Sequence, residues 1–354
     1  MSVPVVAASN ASEFDRFVPR PSTNTTLDFA IWDRILKETV LFGGPSLRKK
    51  ADKPTPTIGT RIVFGHTSPY RLEGNRVVFE GIRPAYVETL NAYLEDLVRI
   101  GNQQDIAALP KNEQLAYWLN LHNAIVITKI AEEYRISNPS RIEGPDGLRF
   151  HDSKWITIDG VPLSLKNIRE DIVFRNWSDP IVMYGFFHGD IGSPSIQRAA
   201  FTSETLRDTL NYAADEFVNS LRGFQRKRGR PFVSRHYQDV APYFFPDFDA
   251  DLRSHLKTYM NADVRAELSS TPGAFEIEKY ELVVADMTGG DGIRYPGRSV
   301  TVQTRNGLAI GSTLDRAIEE QREKFIEIRN RGLSGTVVIE DIETVDPDAV
   351  DIIE

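Results

Sequence analysis

Cysteine is absent from all 354 residues. That absence excludes disulfides, zinc–thiolate sites, iron–sulfur clusters and any thiol nucleophile. Also missing is any apolar run approaching the roughly 18–20 residues of a membrane-spanning helix. The longest apolar stretches, such as Pro180–Phe187, have the length of a buried strand. Positive charge is not in excess: Lys and Arg number 42 against 50 Asp and Glu, so no DNA partner is expected. The phosphate-loop, dinucleotide, HExxH, GxSxG and EF-hand patterns do not occur. Gly289-Gly290-Asp291-Gly292 is glycine-rich but follows no strand–helix phosphate pattern.

What is present is ordinary globular material. Apolar residues make up 41% and charged residues 26%, enough for a sizeable core and about two domains. The net charge of -8 is concentrated in one place, because the end of the chain carries seven acidic residues from Glu340 to Glu354 and no basic one. Such an end reads as a solvated acidic tail. At the other end, the Ala-rich stretch Val6–Ala11 resembles the small-residue end of a secretory leader. It points to a bacterial periplasmic or secreted chain with its signal peptide removed; a cytoplasmic chain is the alternative.

Three segments are expected: a loose stretch over 1–24, a main domain over 25–268 and a small α/β extension over 269–354. Helices are predicted over Asn24–Phe42, from Pro84 through Ile100, over Asn112–Tyr134, Thr202–Leu221, Asp249–Met260 and Ser312–Arg331. In the last, Leu314, Ile318, Phe325 and Ile328 are read as the inward face. Asn112–Tyr134 is apolar nearly all round and so should be buried, with Asn120, His122 and Asn123 as polar exceptions that brace loops or line a ligand pocket. Strands are predicted at Arg61–Gly65, Tyr70–Glu80, Pro180–Phe187, Pro231–Arg235, Phe275–Ala285, Ser299–Thr304 and Thr336–Ile342. Trp155–Leu163 reads as a hairpin about Asp159-Gly160, followed by a short helix capped by Ser164. Arg222–Arg230 reads as a solvated basic connection. The fold class is α+β: a helical N-terminal half packed on a mainly antiparallel sheet.

Reactive groups concentrate in the loop His188-Gly189-Asp190-Ile191-Gly192-Ser193. His188 and Ser193 could serve as base and nucleophile with Asp190 nearby, while a tight Gly-supported turn is the bland alternative. Glu170, on the short helix after Ser164, is a further candidate.

Four strings in order give a resemblance. Ala116–Ala124 (AYWLNLHNA), Leu163–Ile172 (LSLKNIREDI), Asp179–Ile196, and Glu216–Ser220 with Tyr243–Phe248 resemble domain-of-unknown-function family 547 over roughly residues 80–250. The family pattern resembles a thiol hydrolase of papain or transglutaminase type, which implies that type of fold. The departures fall on the polar set. The family's two loop cysteines fall on His188 and Ser193, its Glu-His pair on Arg169 and Glu170, and its helix Tyr on His122. A hydroxyl is no equivalent of a thiol, because it needs a well-placed base to ionise. Two readings follow from the resemblance. In one, the domain is catalytically degenerate, needs no cofactor and binds a small ligand or protein in the former cleft. In the other, His122, Glu170, His188, Asp190 and Ser193 form a re-equipped hydrolase, or His122 and His188 help to hold a divalent metal.

Overall fold

The computed structural model describes residues 12–55, 63, 65–290, 301–303 and 309–333, with the backbone alone described for 301–303 and 309–313. The strands expected at Thr336–Ile342 and, for the most part, at Arg61–Gly65 lie outside these residues, as do the acidic tail and the Ala-rich start.

One helix lies at the centre of the core. After α1 (Ala30–Thr39), β1 (Val40–Leu41) and β2 (Arg76–Val77), α2 (Pro84–Gln103) leads into α3 (Lys111–Glu132). Pro84 opens α2 at its first position, where a missing N–H costs nothing. α3 is buried on every side, from Leu115 and Trp118 on one face to Leu121 and Ile127 on the other. α2 lies along it, with the Tyr117 hydroxyl donating to the Leu97 carbonyl at 2.9 Å.

The hairpin β3 (Lys154–Ile158) and β4 (Val161–Ser164) turns at Asp159 and Gly160, both at positive φ, as type I′ chemistry requires. Ser164 then accepts the Asn167 N–H, and Asn167–Phe174 follows as a π-helix. Such wide turns are uncommon and cluster at functional sites. The remaining elements are α4 (Leu206–Val218), β5 (Phe224–Lys227), β6 (Arg230–Val233), α5 (Arg235–Phe244), α6 (Phe248–Tyr259), α7 (Ala262–Ser269), β7 (Glu276–Ile277), β8 (Thr301–Gln303), β9 (Ala309–Gly311) and α8 (Ser312–Asn330).

The class is α+β, but no large sheet exists among the described residues. The strands form four small sheets, the widest of three strands, in which β7 joins β6 in parallel. The expected strand Pro180–Phe187 is a buried 3₁₀ turn over Pro180–Gly185. Asp179 caps it by accepting the Ile181 N–H, and Pro180 sits at its first position, so the local start signal outweighs an apolar run that suits either state. Tyr70–Glu80 keeps only Arg76–Val77 as strand, and Phe275–Ala285 only Glu276–Ile277 plus an isolated bridge between Val284 and Asp190. α1 and α4 begin at Ala30 and Leu206, later than the starts expected at Asn24 and Thr202.

The chain after α7 runs back over the main body. The Ile191 N–H donates to the Val283 carbonyl and the Ala285 N–H to the Gly189 carbonyl, while the Val77 N–H donates to the Ala285 carbonyl. α8 is clamped at mid-length. Lys324 donates to the Gly43 and Leu72 carbonyls at 2.6 Å each, and Glu320 takes a two-pronged hydrogen bond from Arg71. Of its expected inward residues, Ile328 is buried, whereas Ile318 and Phe325 stay 46% and 39% exposed because the clamp is polar.

The α2–α3 contact tolerates no added atom at Gly101, where a Cβ would run into the Tyr117 hydroxyl and the Ile158 side chain. Gly101→Ala, which would stabilise an exposed helix, should here destabilise by about 1–3 kcal/mol, as overpacking does. Denaturant unfolding measures it. Adding Tyr117→Phe should recover part of the loss by removing the clashing oxygen; no recovery would show that the hairpin contact dominates.

Candidate functional site

The polar residues of α3 determine what surrounds it. Asn120 donates to the Phe201 carbonyl at 2.7 Å and accepts the Phe201 N–H at 3.0 Å, so it anchors a loop away from the cavity described below. Asn123 donates to the Gly185 carbonyl and accepts the Phe187 N–H, which fixes the segment entering the His188 loop. His122 Nδ1 lies 3.1 Å from Asn123 Oδ1, and its Nε2 lies 3.0 Å from Arg169 Nη1. Arginine only donates, so His122 Nε2 is the acceptor and Nδ1 carries the proton toward Asn123. The same nitrogen of Arg169 lies 3.3 Å from His151 Nδ1, which must accept too.

Arg169 comes from the π-helix, with neighbours Ile168, Ile172 and Val173 buried in the core. It faces a cavity of about 640 Å³. His151, His188, Asp190, His236 and Tyr280 help to line this space, and Glu170, Asp152, Lys166, Arg235 and Asp239 also contribute. His151 is placed by the turn before β3, where its carbonyl accepts the Lys166 N–H. His236 is placed by α5: Ser234 caps that helix by accepting the His236 N–H, and Val240 follows one turn later on the same buried side. The ring centroids of His188 lie 5.3 Å from His151, 5.4 Å from His236 and 6.3 Å from His122.

Four imidazoles around a guanidinium are held neutral. Burial lowers His122, His151 and His188 well below the ordinary histidine value, and the Arg169 charge lowers them further. Burial and Arg169 likewise bring His236 down to about 3, against a hydrogen bond to the Met183 backbone. Asp190 moves the other way, to about 7, because burial outweighs the hydrogen bonds it accepts from the Ser193 and Gly192 backbone and from Tyr280. The Tyr280 hydroxyl also stands 3.4 Å from His188 Nδ1.

The expected site residues therefore separate. His188, Asp190 and Glu170 line the cavity, with Glu170 accepting a 3.0 Å hydrogen bond from the Tyr243 hydroxyl. Ser193 is fully buried; its hydroxyl donates to the Asp190 carbonyl at 2.9 Å and accepts the His188 N–H at 3.2 Å. It serves the turn, and no imidazole nitrogen stands beside it. His122 sits behind Arg169. A metal shared by His122 and His188 meets a physical obstacle, since a permanent cation already uses the His122 Nε2 lone pair. Among the described residues no group of three or more His, Asp or Glu has metal-holding geometry.

Sequence reasoning missed His151, His236 and Tyr280 and treated Arg169 only as a departure from the family's Glu-His pair. The one usable signal was Arg169 itself, a charge set between Ile168 and Ile172 on a helix that must bury its apolar side.

All six histidines of the chain are held below the ordinary value, His66 and His255 included. Each stays neutral in the fold while the unfolded chain takes up a proton near pH 6.5, so each lowers stability as pH falls through that value. Asp190 and Asp286, raised to about 7, act in the opposite sense, as do Glu73 and Asp215, which are also raised. The histidines outnumber these carboxyls. Unfolding free energy should therefore fall between pH 7.5 and pH 5, by about 1.4 kcal/mol per pH unit for each net proton. Denaturant titrations at several pH values measure it, and a rise would mean that the buried carboxyls dominate.

Residues 106–218, about a third of the chain, match the family described as "Protein of unknown function, DUF547". The match contains the strings at 116–124, 163–172 and 179–196 and stops within the fourth, so it is narrower than the span 80–250 and leaves Tyr243–Phe248 outside. No curated protein and no solved structure matches the chain. The sequence of α3, the arginine-bearing π-helix and the His188 loop all fall inside the matched span, so it is over residues 106–218 that the chain is similar to the DUF547 family.

Proposed function

We propose that this chain is a thiol-free binding protein that holds a small molecule in the histidine–arginine cavity, and that it is not a hydrolase. The carrying observation is the division of labour around the His188 loop. Ser193, at the position of a family cysteine, spends its hydroxyl on backbone groups, while His188, His236 and Arg169 face the cavity. A hydroxyl without an adjacent base is a poor nucleophile. The cavity volume of about 640 Å³ falls within the range of about 300–1,000 Å³ usual for small-molecule sites, which favours a small ligand over a protein partner. The kinship with papain- or transglutaminase-like hydrolases rests on the family pattern alone.

Acid–base chemistry at Asp190 and His188 is the second reading. One observation favours it: Asp190 titrates near neutrality beside Tyr280, which also reaches His188.

Thermal-shift screening of a metabolite library tests the first reading. Saturable stabilisation by at least one compound is expected, about 2.7 kcal/mol at a hundredfold excess over Kd, and retained in Ser193→Ala. Amide and ester substrates should show no turnover. Turnover abolished by Ser193→Ala but not by Asn219→Ala would overturn the proposal. A bell-shaped rate profile lost in Asp190→Asn would favour the second reading.

A further inference from the structure

We infer that the ligand carries an oxyanion, a carboxylate or a phosphate, seated on Arg169, with a neighbouring hydroxyl or amino group that donates to His236; this rests on the binding reading above. Buried arginines elsewhere in the protein show what this one lacks. Arg222 is paired with Glu216 and Arg71 with Glu320. Arg76, in the interior, also has no ion-pair partner among the described residues and an unpartnered Nε, but it faces backbone and not a cavity, with Nη1 donating to the Asn75 carbonyl at 2.9 Å and Nη2 to the Tyr70 carbonyl at 3.0 Å.

Arg169 is 8% exposed, and its two hydrogen-bond partners are neutral imidazoles on a single nitrogen. Among the described residues no carboxylate lies within ion-pair distance of it. Glu170, Asp152 and Asp239 act on it only through longer-range attraction. Glu170 is engaged by Tyr243, and Asp239 by Arg235 at the exposed rim. A desolvated charge without a counter-charge is costly, and a guanidinium presents a planar fork suited to carboxylate or phosphate.

His236 sharpens the class. It is 1% exposed, lines the same cavity, and its Nε2 has no hydrogen-bond partner among the described residues. Its bond to the Met183 backbone carbonyl places the proton on the other nitrogen, so Nε2 offers a lone pair. Buried polar atoms are nearly always satisfied, and this one requires a donor. An acid with a hydroxyl or amino group close to its anionic end, such as a hydroxycarboxylate or a polyol phosphate, meets both demands.

Isothermal titration calorimetry on the full chain tests this with acetate, inorganic phosphate, malate and glycerol 3-phosphate, with glycerol as the neutral control. The expected result is one site per chain, with malate or glycerol 3-phosphate binding at least tenfold tighter than acetate or phosphate, and glycerol silent. The tighter of the two arms identifies carboxylate or phosphate. Arg169→Gln should lose at least tenfold in affinity, whereas Arg99→Gln, which removes an equal charge from an exposed ion pair, should lose nothing. The melting temperature of the unliganded Arg169→Gln protein serves as the folding check, because the substitution removes a buried charge and also the hydrogen bonds to His122 and His151. If it fails to fold, Arg169→Lys, which keeps the charge without the fork, should fold and bind with intermediate affinity. Equal binding to Arg169→Gln, or silence from all four acids, overturns the inference. If neutral compounds from the metabolite screen still bind, the binding reading survives that failure; if nothing binds in either experiment, both fall.

Discussion

In a helix that is buried on every side, polar side chains are costly unless they find partners inside the protein, because water cannot reach them, and although Gln114 Oε1, Trp118 Nε1 and Thr128 Oγ1 have none among the described residues, the polar cluster in the middle of the helix does. α3 meets this constraint three times in four residues. Asn120 holds the chain at Phe201, Asn123 holds the chain between Gly185 and Phe187, and His122 accepts from Arg169. Each bond fixes a segment that the packing of apolar side chains alone would leave free to slide. The His188 loop starts where Asn123 fixes it, and the π-helix is held to α3 through Arg169. The cavity between them follows from satisfying one helix.

The same geometry sets the charge state. A permanent cation surrounded by imidazoles stays tolerable while the imidazoles remain uncharged, and burial together with Arg169 keeps them so. The floor of the cavity thus has one fixed positive charge and several neutral groups whose tautomers are assigned by their neighbours. The segment matching the family supplies Arg169, His122, His151, His188 and Asp190, while His236, Asp239 and Tyr280 come from residues beyond 218. The family match therefore does not determine what the cavity takes, since six of its fifteen lining residues lie outside the matched segment.

Much of the scaffold was legible. The all-round apolar pattern of residues 112–134 implied a buried helix, and the Asp159-Gly160 pair implied the turn that joins β3 to β4. The His188 loop was legible as a place where polar groups are presented. What was not legible was convergence. His151 and His236 are single histidines, one in a turn and one on a helix, with nothing in their spacing to join them. Tyr280 lies in a segment whose apolar residues suggested a continuous strand, and Ser193 looked reactive because its backbone partners cannot be seen in a sequence. The run at 180–187 was misassigned because burial was clear and periodicity was not. Arg169 was read only as a departure from the family's Glu-His pair, whereas the fold makes it a buried charge facing the cavity.

The passage of residues 283–285 between Gly189, Ile191 and Val77 bears on the order in which the molecule matures. α2 and α3 and the hairpin can form as soon as they leave the ribosome, since their contacts are local or nearly so. The His188 loop, by contrast, receives its supporting hydrogen bonds, and the cavity its Tyr280 wall, from chain made almost a hundred residues later. A nascent chain can therefore have α2, α3 and the hairpin in place while the cavity still lacks its Tyr280 wall, so the cavity is finished only when synthesis is well advanced.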